Sequence, residues 1–231
     1  MITWGSGAGS PWWVLVALGV AGLVLGGATG RSLATGGYRI ESDEAGDPPR
    51  HWWWPAVALA AAWVFLAWRI GDLAHWAALP AYLLLAWLTV ALVWIDADVH
   101  RLPDGLVLPA YPALGALLVV ATAGAGDWRP LVRALVCMVA IYVLYFVMAM
   151  AAPSSLGFGD VKLSGVIGLA LGWVSVFQAV AGLLLGFMVG GVVALVMLLG
   201  RRVGLRSHIA FGPSMLIGAL VALGLEYQLV G

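Results

Sequence analysis

The sequence predicts an all-α, polytopic transmembrane bundle of about eight spans, and three observations lead there. Hydrophobic residues make up 63% of the 231, and charged residues only 10%. Mean hydropathy is +1.03. A soluble domain carries about 25% charged residues, so this chain lacks the polar surface of an ordinary cytosolic globule. Its apolar residues also fall in runs close to the roughly 20 that a helix needs to cross a bilayer. The runs are continuous, without the alternation of barrel strands.

Taken in order, the runs occupy about 12–29, 54–70, 76–95, 106–123, 131–151, 161–175, 177–199 and 209–226. Residues 1–11 contain no Lys or Arg, so the first run lacks the basic opening of a cleaved signal peptide and is read as a retained helix. Gly22, Gly26 and Gly30 recur every four residues in it, as do Gly182, Gly186 and Gly190 in the seventh. Such stripes let helix backbones approach closely in lipid. The stretch from Val161 to Leu199 is too long for one span, and Leu171–Gln178 (LGWVSVFQ) supplies the turn. The only substantial polar segment, Arg39–Arg50 (RIESDEAGDPPR), reads as a mobile cytoplasmic loop within the short connection 30–53. The whole of 1–231 is expected to form a single membrane domain.

Ten of the 13 tryptophans (Trp12, Trp13, Trp52, Trp53, Trp54, Trp68, Trp76, Trp94, Trp128 and Trp173) fall near these run ends, where indole rings favour the headgroup zone. With the N-terminus outside, Arg31, Arg39, Arg50, Arg101, Lys162, Arg201, Arg202 and Arg206 lie inside. Only Arg69, Arg129 and Arg133 lie outside, and eight against three obeys the positive-inside rule. The 11 basic and 11 acidic residues cancel, so no global charge points to nucleic acid. One cysteine, Cys137, lies in an apolar run, which excludes a disulfide framework and a cysteine metal site.

Function is sought among the acids. Glu41, Asp43, Glu44 and Asp47 belong to the polar loop, Asp72 and Asp127 to outer connections beside Arg69 and Arg129, and Glu226 ends the last run. All seven read as solvated surface charge. Asp96, Asp98 and Asp104 remain in WIDADVHRLPDGLVLP, and Asp160 in SSLGFGDVKL. Asp96 directly follows the third run and Asp160 directly precedes the sixth, so helix parity puts both at one membrane face although 64 residues separate them. An ionisable group at the bilayer centre costs about 2.5–3.5 kcal/mol even on the gentler insertion scales, and packing alone does not retain one.

Gly157 and Gly159 precede Asp160, removing the Cβ barrier to unusual torsions and to close approach by another backbone. The helix starting near Asp160 points its positive end at the carboxylate. Lys162 either adds to that field or anchors the inner face. Pro153 and Ser154–Ser155 mark the preceding segment as non-helical. Pro103 ends any helical continuation from Asp96, Asp104–Gly105 completes a turn, and Asp104 reads as the N-cap of the fourth span. Asp96 and Asp98 are about 200° apart on a helix, so only one faces the second site. Asp96, nearer the membrane, is preferred, with Asp98 as the alternative.

Two carboxylates held close cannot both ionise at low cost, so one keeps its proton and the pair titrates as a unit. The ionised member can take a proton from water attacking an amide carbonyl while its partner polarises that carbonyl, the aspartic-protease arrangement. No metal or cofactor is called for. His51, His75, His100 and His208 show no ligand pair at helical spacing and read as interfacial, with His100 placed to tune the loop near Asp96.

IDADVHRLPDGLVLP, GFGDVKL and the late IAFGPSMLIGAL (Ile209–Leu220) together resemble the three signature stretches of prepilin peptidases, the type IV leader peptidases of the GxGD aspartic class. GxGD alone is a weak pattern; three stretches in order on one membrane side are specific. The resemblance covers roughly residues 76–226. It implies that Asp96 and Asp160 are the catalytic aspartates and that Phe211, Gly212 and Pro213 support the site. It further implies a cytoplasmic-face cleavage that removes a short basic leader from precursors with a hydrophobic N-terminal helix, in the inner membrane. Many members carry a cysteine-containing cytoplasmic domain associated with N-methylation. Loop 30–53 has no cysteine, so the expectation is a peptidase without that activity, and no S-adenosylmethionine site is read.

Presenilin-like and signal-peptide-peptidase-like GxGD proteases have tyrosine before the first aspartate and a PAL-like late motif. Ile95 and Phe211–Pro213 fit neither. A transporter or proton-conducting protein using the same acids as relay groups predicts acids near mid-membrane on broken helices, whereas these map to span ends. A purely structural bundle leaves the glycine turn before Asp160 without a use.

Overall fold

The computed structural model describes residues 10–40, 51–73, 76–151, 156–200 and 211–225. Readings placed on the acidic loop 41–50, on His75, on Pro153–Ser155, on Arg201, Arg202, Arg206 and His208, on Ile209 and on Glu226 lie outside those residues, as does the side chain of Asp72. Among the described residues there are eight α-helices and no strand. These are α1 (Trp12–Leu33), α2 (Trp54–Leu73), α3 (Leu79–Val99, entered through a 3-10 turn at Trp76–Ala78), α4 (Asp104–Ala125), α5 (Arg129–Ala151), α6 (Phe158–Val174), α7 (Val176–Leu199) and α8 (Gly212–Gly224). Five are long and apolar enough to cross a membrane: α1, α3 with its entry turn, α4, α5 and α7. Helices α2 and α8 supply shorter apolar stretches. The expected eight-helix map holds, including the break inside 161–199, which falls at Ser175.

Three tight helix pairs build the bundle: α1 with α2, α5 with α6, and α7 with α8. The glycine stripes make these approaches. A Cβ on Gly22 would lie 2.7 Å from Ala60 Cα, and one on Gly26 2.8 Å from Ala56 Cα. Gly168 faces the Cys137 carbonyl and Met138, and Gly186 faces Met215. Helix α6 is the axis of the fold. From Asp160 to Trp173 every residue except Lys162 is buried, and α3, α4, α5, α7 and α8 all pack on it. That burial explains why a helix of 17 residues is apolar all round.

The end of the bundle away from Asp160 is closed by hydrogen bonds to backbone carbonyls. Arg133 on α5, placed by the sequence on the outer side, is half-buried and donates to the carbonyls of Gly172, Trp173 and Val174. It thereby caps the C-terminus of α6. Tyr82 donates to the Ala170 carbonyl at 2.9 Å. Ser175, the single residue between α6 and α7, accepts from the Gln178 amide and donates to its side-chain oxygen. Gln178 in turn donates to the Leu225 carbonyl.

Two tryptophans depart from the interfacial belt. Trp94 and Trp173 are only 2% and 1% exposed. Each spends its indole N–H inside the fold, Trp94 on the Tyr38 hydroxyl and Trp173 on Thr122. A ring near a helix end serves as core when a polar partner lies within reach. Trp12, Trp13, Trp52, Trp53, Trp68, Trp76 and Trp128 are exposed, as a belt requires.

Candidate active site

Asp96 lies in the last turn of α3 and Asp160 in the first turn of α6. Helix α3 stops at Val99 because His100 turns left-handed at φ 49° and its amide caps back onto the Asp96 carbonyl. This corrects the role read for Pro103, which arrives three residues too late to end α3 and instead forms the N-cap of α4. Asp104 is likewise not a cap and does not complete a turn before the helix. It is the first residue of α4 and makes no capping bond, because its carboxylate accepts from Lys162 Nζ at 2.7 and 2.8 Å. Lys162 is thus paired with Asp104 rather than aimed at Asp160. It ties the start of α4 to the start of α6, as does the Tyr111 hydroxyl, which donates to the Lys162 carbonyl at 2.5 Å.

Asp160 sits at the third position of α6, and its Oδ2 accepts from the Gly157 amide at 3.3 Å, satisfying one otherwise orphaned helix donor. The carboxylate is 9% exposed. Gly157 itself has φ −75°, which any residue adopts, so its presence is not explained by backbone torsion. Gly159 is explained by space. A Cβ there would meet Leu102 Cβ at 3.0 Å.

Leu102 reaches both sides of the site. A Cβ on Gly212, the first residue of α8, would lie 3.1 Å from Asp96 Oδ2 and 3.1 Å from Leu102 Cδ1. The two glycines therefore let one buried leucine fill the space beside both acids, and Gly212 lets the α8 backbone come up against the Asp96 carboxylate. Asp96 is 4% exposed, and its Oδ2 has no hydrogen-bond partner among the described residues. The two carboxylates are near enough to interact electrostatically. Pro213 occupies the second position of α8, which tolerates proline. Phe211 packs with Phe187 and Tyr145 at centroid distances of 5.2 and 6.5 Å, an aromatic floor that fills the angle between α5, α7 and α8.

Asp98, the alternative first acid, faces elsewhere. It accepts from Arg39 Nη2 at 2.6 Å, from Arg39 Nε at 2.8 Å and from the Tyr38 hydroxyl at 2.5 Å. Arg39 is therefore not a solvated residue of the polar loop. Leu102, Tyr38 and Arg39 escaped the sequence reading. The available signal was an apolar residue in an otherwise polar turn, and a Tyr-Arg pair just before an acidic stretch. Among the described residues no three His, Cys, Asp or Glu side chains gather as a metal-ligand set.

Both acids stand at helix ends, Asp96 in the last turn of α3 and Asp160 in the first turn of α6, and the profile of the type IV leader peptidase family matches residues 82–223, which contain both. The chain belongs to the type IV leader peptidase family. The prepilin leader peptidase/N-methyltransferase of Aeromonas hydrophila is 33% identical over 175 residues, 74% of this chain and 57% of that protein. The protein of the same description from Stutzerimonas stutzeri is 33% identical over 173 residues, and that from Pseudomonas aeruginosa 31% over 173, both with the same coverage. This family member thus spans a little over half the length of the curated relatives it matches. No solved structure matches it at a comparable level. With five helices among the described residues long and apolar enough to cross a membrane, this leader-peptidase-family chain is a multi-pass membrane protein.

Proposed function

We propose that the protein is an aspartic endopeptidase of the inner membrane that removes the short N-terminal leader from prepilin-like precursors at the cytoplasmic face, with its own N-terminus outside. The observation that carries this reading is the pair Asp96–Asp160. Two buried carboxylates from distant segments stand at helix ends within electrostatic reach of each other, and one Asp96 oxygen has no hydrogen-bond partner among the described residues. One ionised member takes the proton of an attacking water, and the protonated member donates to the scissile carbonyl oxygen. On collapse the gem-diol loses the amine, which leaves with the proton that the first carboxylate took up, while one gem-diol hydroxyl returns its proton to the second carboxylate and restores the starting pair. Gly157 leaves room for an extended backbone beside Asp160, while Gly159 gives its space to Leu102. Pro103, Asp104 and Lys162 hold the start of α4 against α6, and Phe211, Gly212 and Pro213 bring α8 to Asp96. The substrate class is a precursor with a hydrophobic N-terminal helix, delivered through the lipid bilayer. The relatives' double description includes N-methylation; loop 30–53 contains no cysteine, and the reading here is the peptidase alone.

The test is to incubate the purified protein in lipid nanodiscs with a prepilin-like precursor and to read the new N-terminus by mass spectrometry. The expected product lacks the basic leader and starts, unmethylated, at the hydrophobic helix. An intact precursor, or cleavage elsewhere, overturns the reading.

The fit of Gly212 against Asp96 gives a second expected result. Gly212→Ala places a methyl where Asp96 Oδ2 and Leu102 already stand at 3.1 Å, so the carboxylate must shift by a few tenths of an ångström. Initial cleavage rates should fall several-fold. Stability should hold, because alanine is the better helix former by about 1 kcal/mol. Gly124→Ala, with nothing within 4 Å of the new Cβ, is the control and should cleave at the wild-type rate.

A further inference from the structure

The last turn of α3 is gripped from the side opposite Asp96. Gly36, at φ 73°, turns the chain after α1 and brings Tyr38 and Arg39 against α3. Arg39 holds Asp98 side-on through two nitrogens, at 2.6 and 2.8 Å, and the Tyr38 hydroxyl adds a third bond at 2.5 Å. Trp94, one turn earlier on the same helix, donates to that hydroxyl at 3.1 Å and stacks on Trp54 at the start of α2, with centroids 5.6 Å apart. The Asp98 and Arg39 side chains are only 9% and 18% exposed, so this bidentate pair is better shielded than an ordinary surface one. Burial and the Asp98 carboxylate together push the Tyr38 hydroxyl above the usual tyrosine range, so it stays a donor.

The turn so held is otherwise open to fraying. It ends at His100, and the next helix starts only at Asp104. Asp96 lies between Trp94 and Asp98 in sequence, on the face turned away from both. Rotation of that turn re-aims the Asp96 carboxylate, and misplacement of a catalytic group by about 1 Å costs on the order of 100-fold in rate.

We propose that Tyr38 and Arg39 are positioning residues for the cleavage reaction: by clamping Asp98 and Trp94 they fix the rotation of the end of α3, and so the aim of Asp96 at Asp160. The proposal rests on the reading of those two acids as the reacting pair. It gives the segment between α1 and α2 a part in catalysis without contact with substrate.

The test measures kcat and KM for precursor cleavage by the full chain in nanodiscs, well below each variant's thermal midpoint. Arg39→Gln and Asp98→Asn should each lower kcat about tenfold with KM unchanged, and Tyr38→Phe by a smaller factor. Arg39→Lys, which restores one charged bond, should recover part of the loss. The double variant Arg39→Gln/Asp98→Asn should be no slower than either single one, because both remove the same clamp. Unchanged kcat in Arg39→Gln, a change confined to KM, or single losses that multiply in the double variant would each overturn the clamp while leaving the peptidase reading intact. A wild-type protein that leaves the precursor uncut overturns the peptidase reading, and the clamp with it.

Discussion

Asp96→Asn and Asp160→Asn should each lower precursor cleavage by about 10³–10⁴-fold, the full worth of a positioned general acid or base. Asparagine keeps the shape of the side chain and its place beside Gly212 or Gly157, but it neither takes a proton from water nor gives one to a carbonyl. At about 1.4 kcal/mol per tenfold, the loss corresponds to roughly 4–6 kcal/mol of transition-state stabilisation. Folding should not suffer. Asp96 presents a buried oxygen with no hydrogen-bond partner among the described residues, an arrangement that costs stability, so Asp96→Asn should melt at or above the wild-type temperature. A catalytic loss accompanied by equal or higher stability is the mark of a functional group. Retention of even a tenth of the wild-type rate in either variant, measured by product mass, would remove that residue from the mechanism. Asp98→Asn, with its expected tenfold loss, sits far from either result and separates clamp from chemistry.

The second large effect is on assembly. A Cβ at Gly218 on α8 would come 2.7 Å from Gly186 Cα and 2.8 Å from the Leu185 carbonyl carbon, as well as against the Gly186 amide. All of these are α7 backbone, which cannot rotate aside. Gly218→Val therefore forces α7 and α8 apart, and overpacking of this kind costs about 1–3 kcal/mol or more. At roughly 2–4 °C per kcal/mol for a chain of this size, the thermal midpoint in detergent should drop by about 5–10 °C. Activity should fall as well, since α8 carries Gly212 to Asp96. Gly191→Ala on α7, open on all sides, should melt with the wild type. If Gly218→Val did too, the close α7–α8 approach would be wrong.

The helices and the meeting of the two acids at one end were legible because hydropathy and span parity act over long, uniform runs. A 20-residue apolar stretch has few alternatives in lipid, and the turn at Ser175 followed from a length limit. Asp104, Arg39, Trp94 and Trp173 were misread for one shared reason. Each was assigned by its own type and position: an acid before a helix as a cap, an arginine at the head of a polar stretch as solvated, an indole near an end as belt. Their actual partners, Lys162, Asp98, Tyr38 and Thr122, lie 51–59 residues away in the chain. A one-dimensional pattern carries no record of such pairings. The same holds for Leu102, whose role depends on two glycines from different helices.

The two ends of the molecule are fastened by different forces. Away from Asp160 the fasteners are an arginine, a tyrosine and a glutamine seated on main-chain oxygens, most of them withdrawn from water. Beside the acids they include ion pairs, and the Asp104–Lys162 partners are 57% and 29% exposed. Added electrolyte shortens the reach of such attraction to about 10 Å at 0.1 M and 3 Å at 1 M. High ionic strength therefore weakens the Asp104–Lys162 pair next to Asp160, leaving the Tyr111 bond to the Lys162 carbonyl in place, while the far corner keeps its grip.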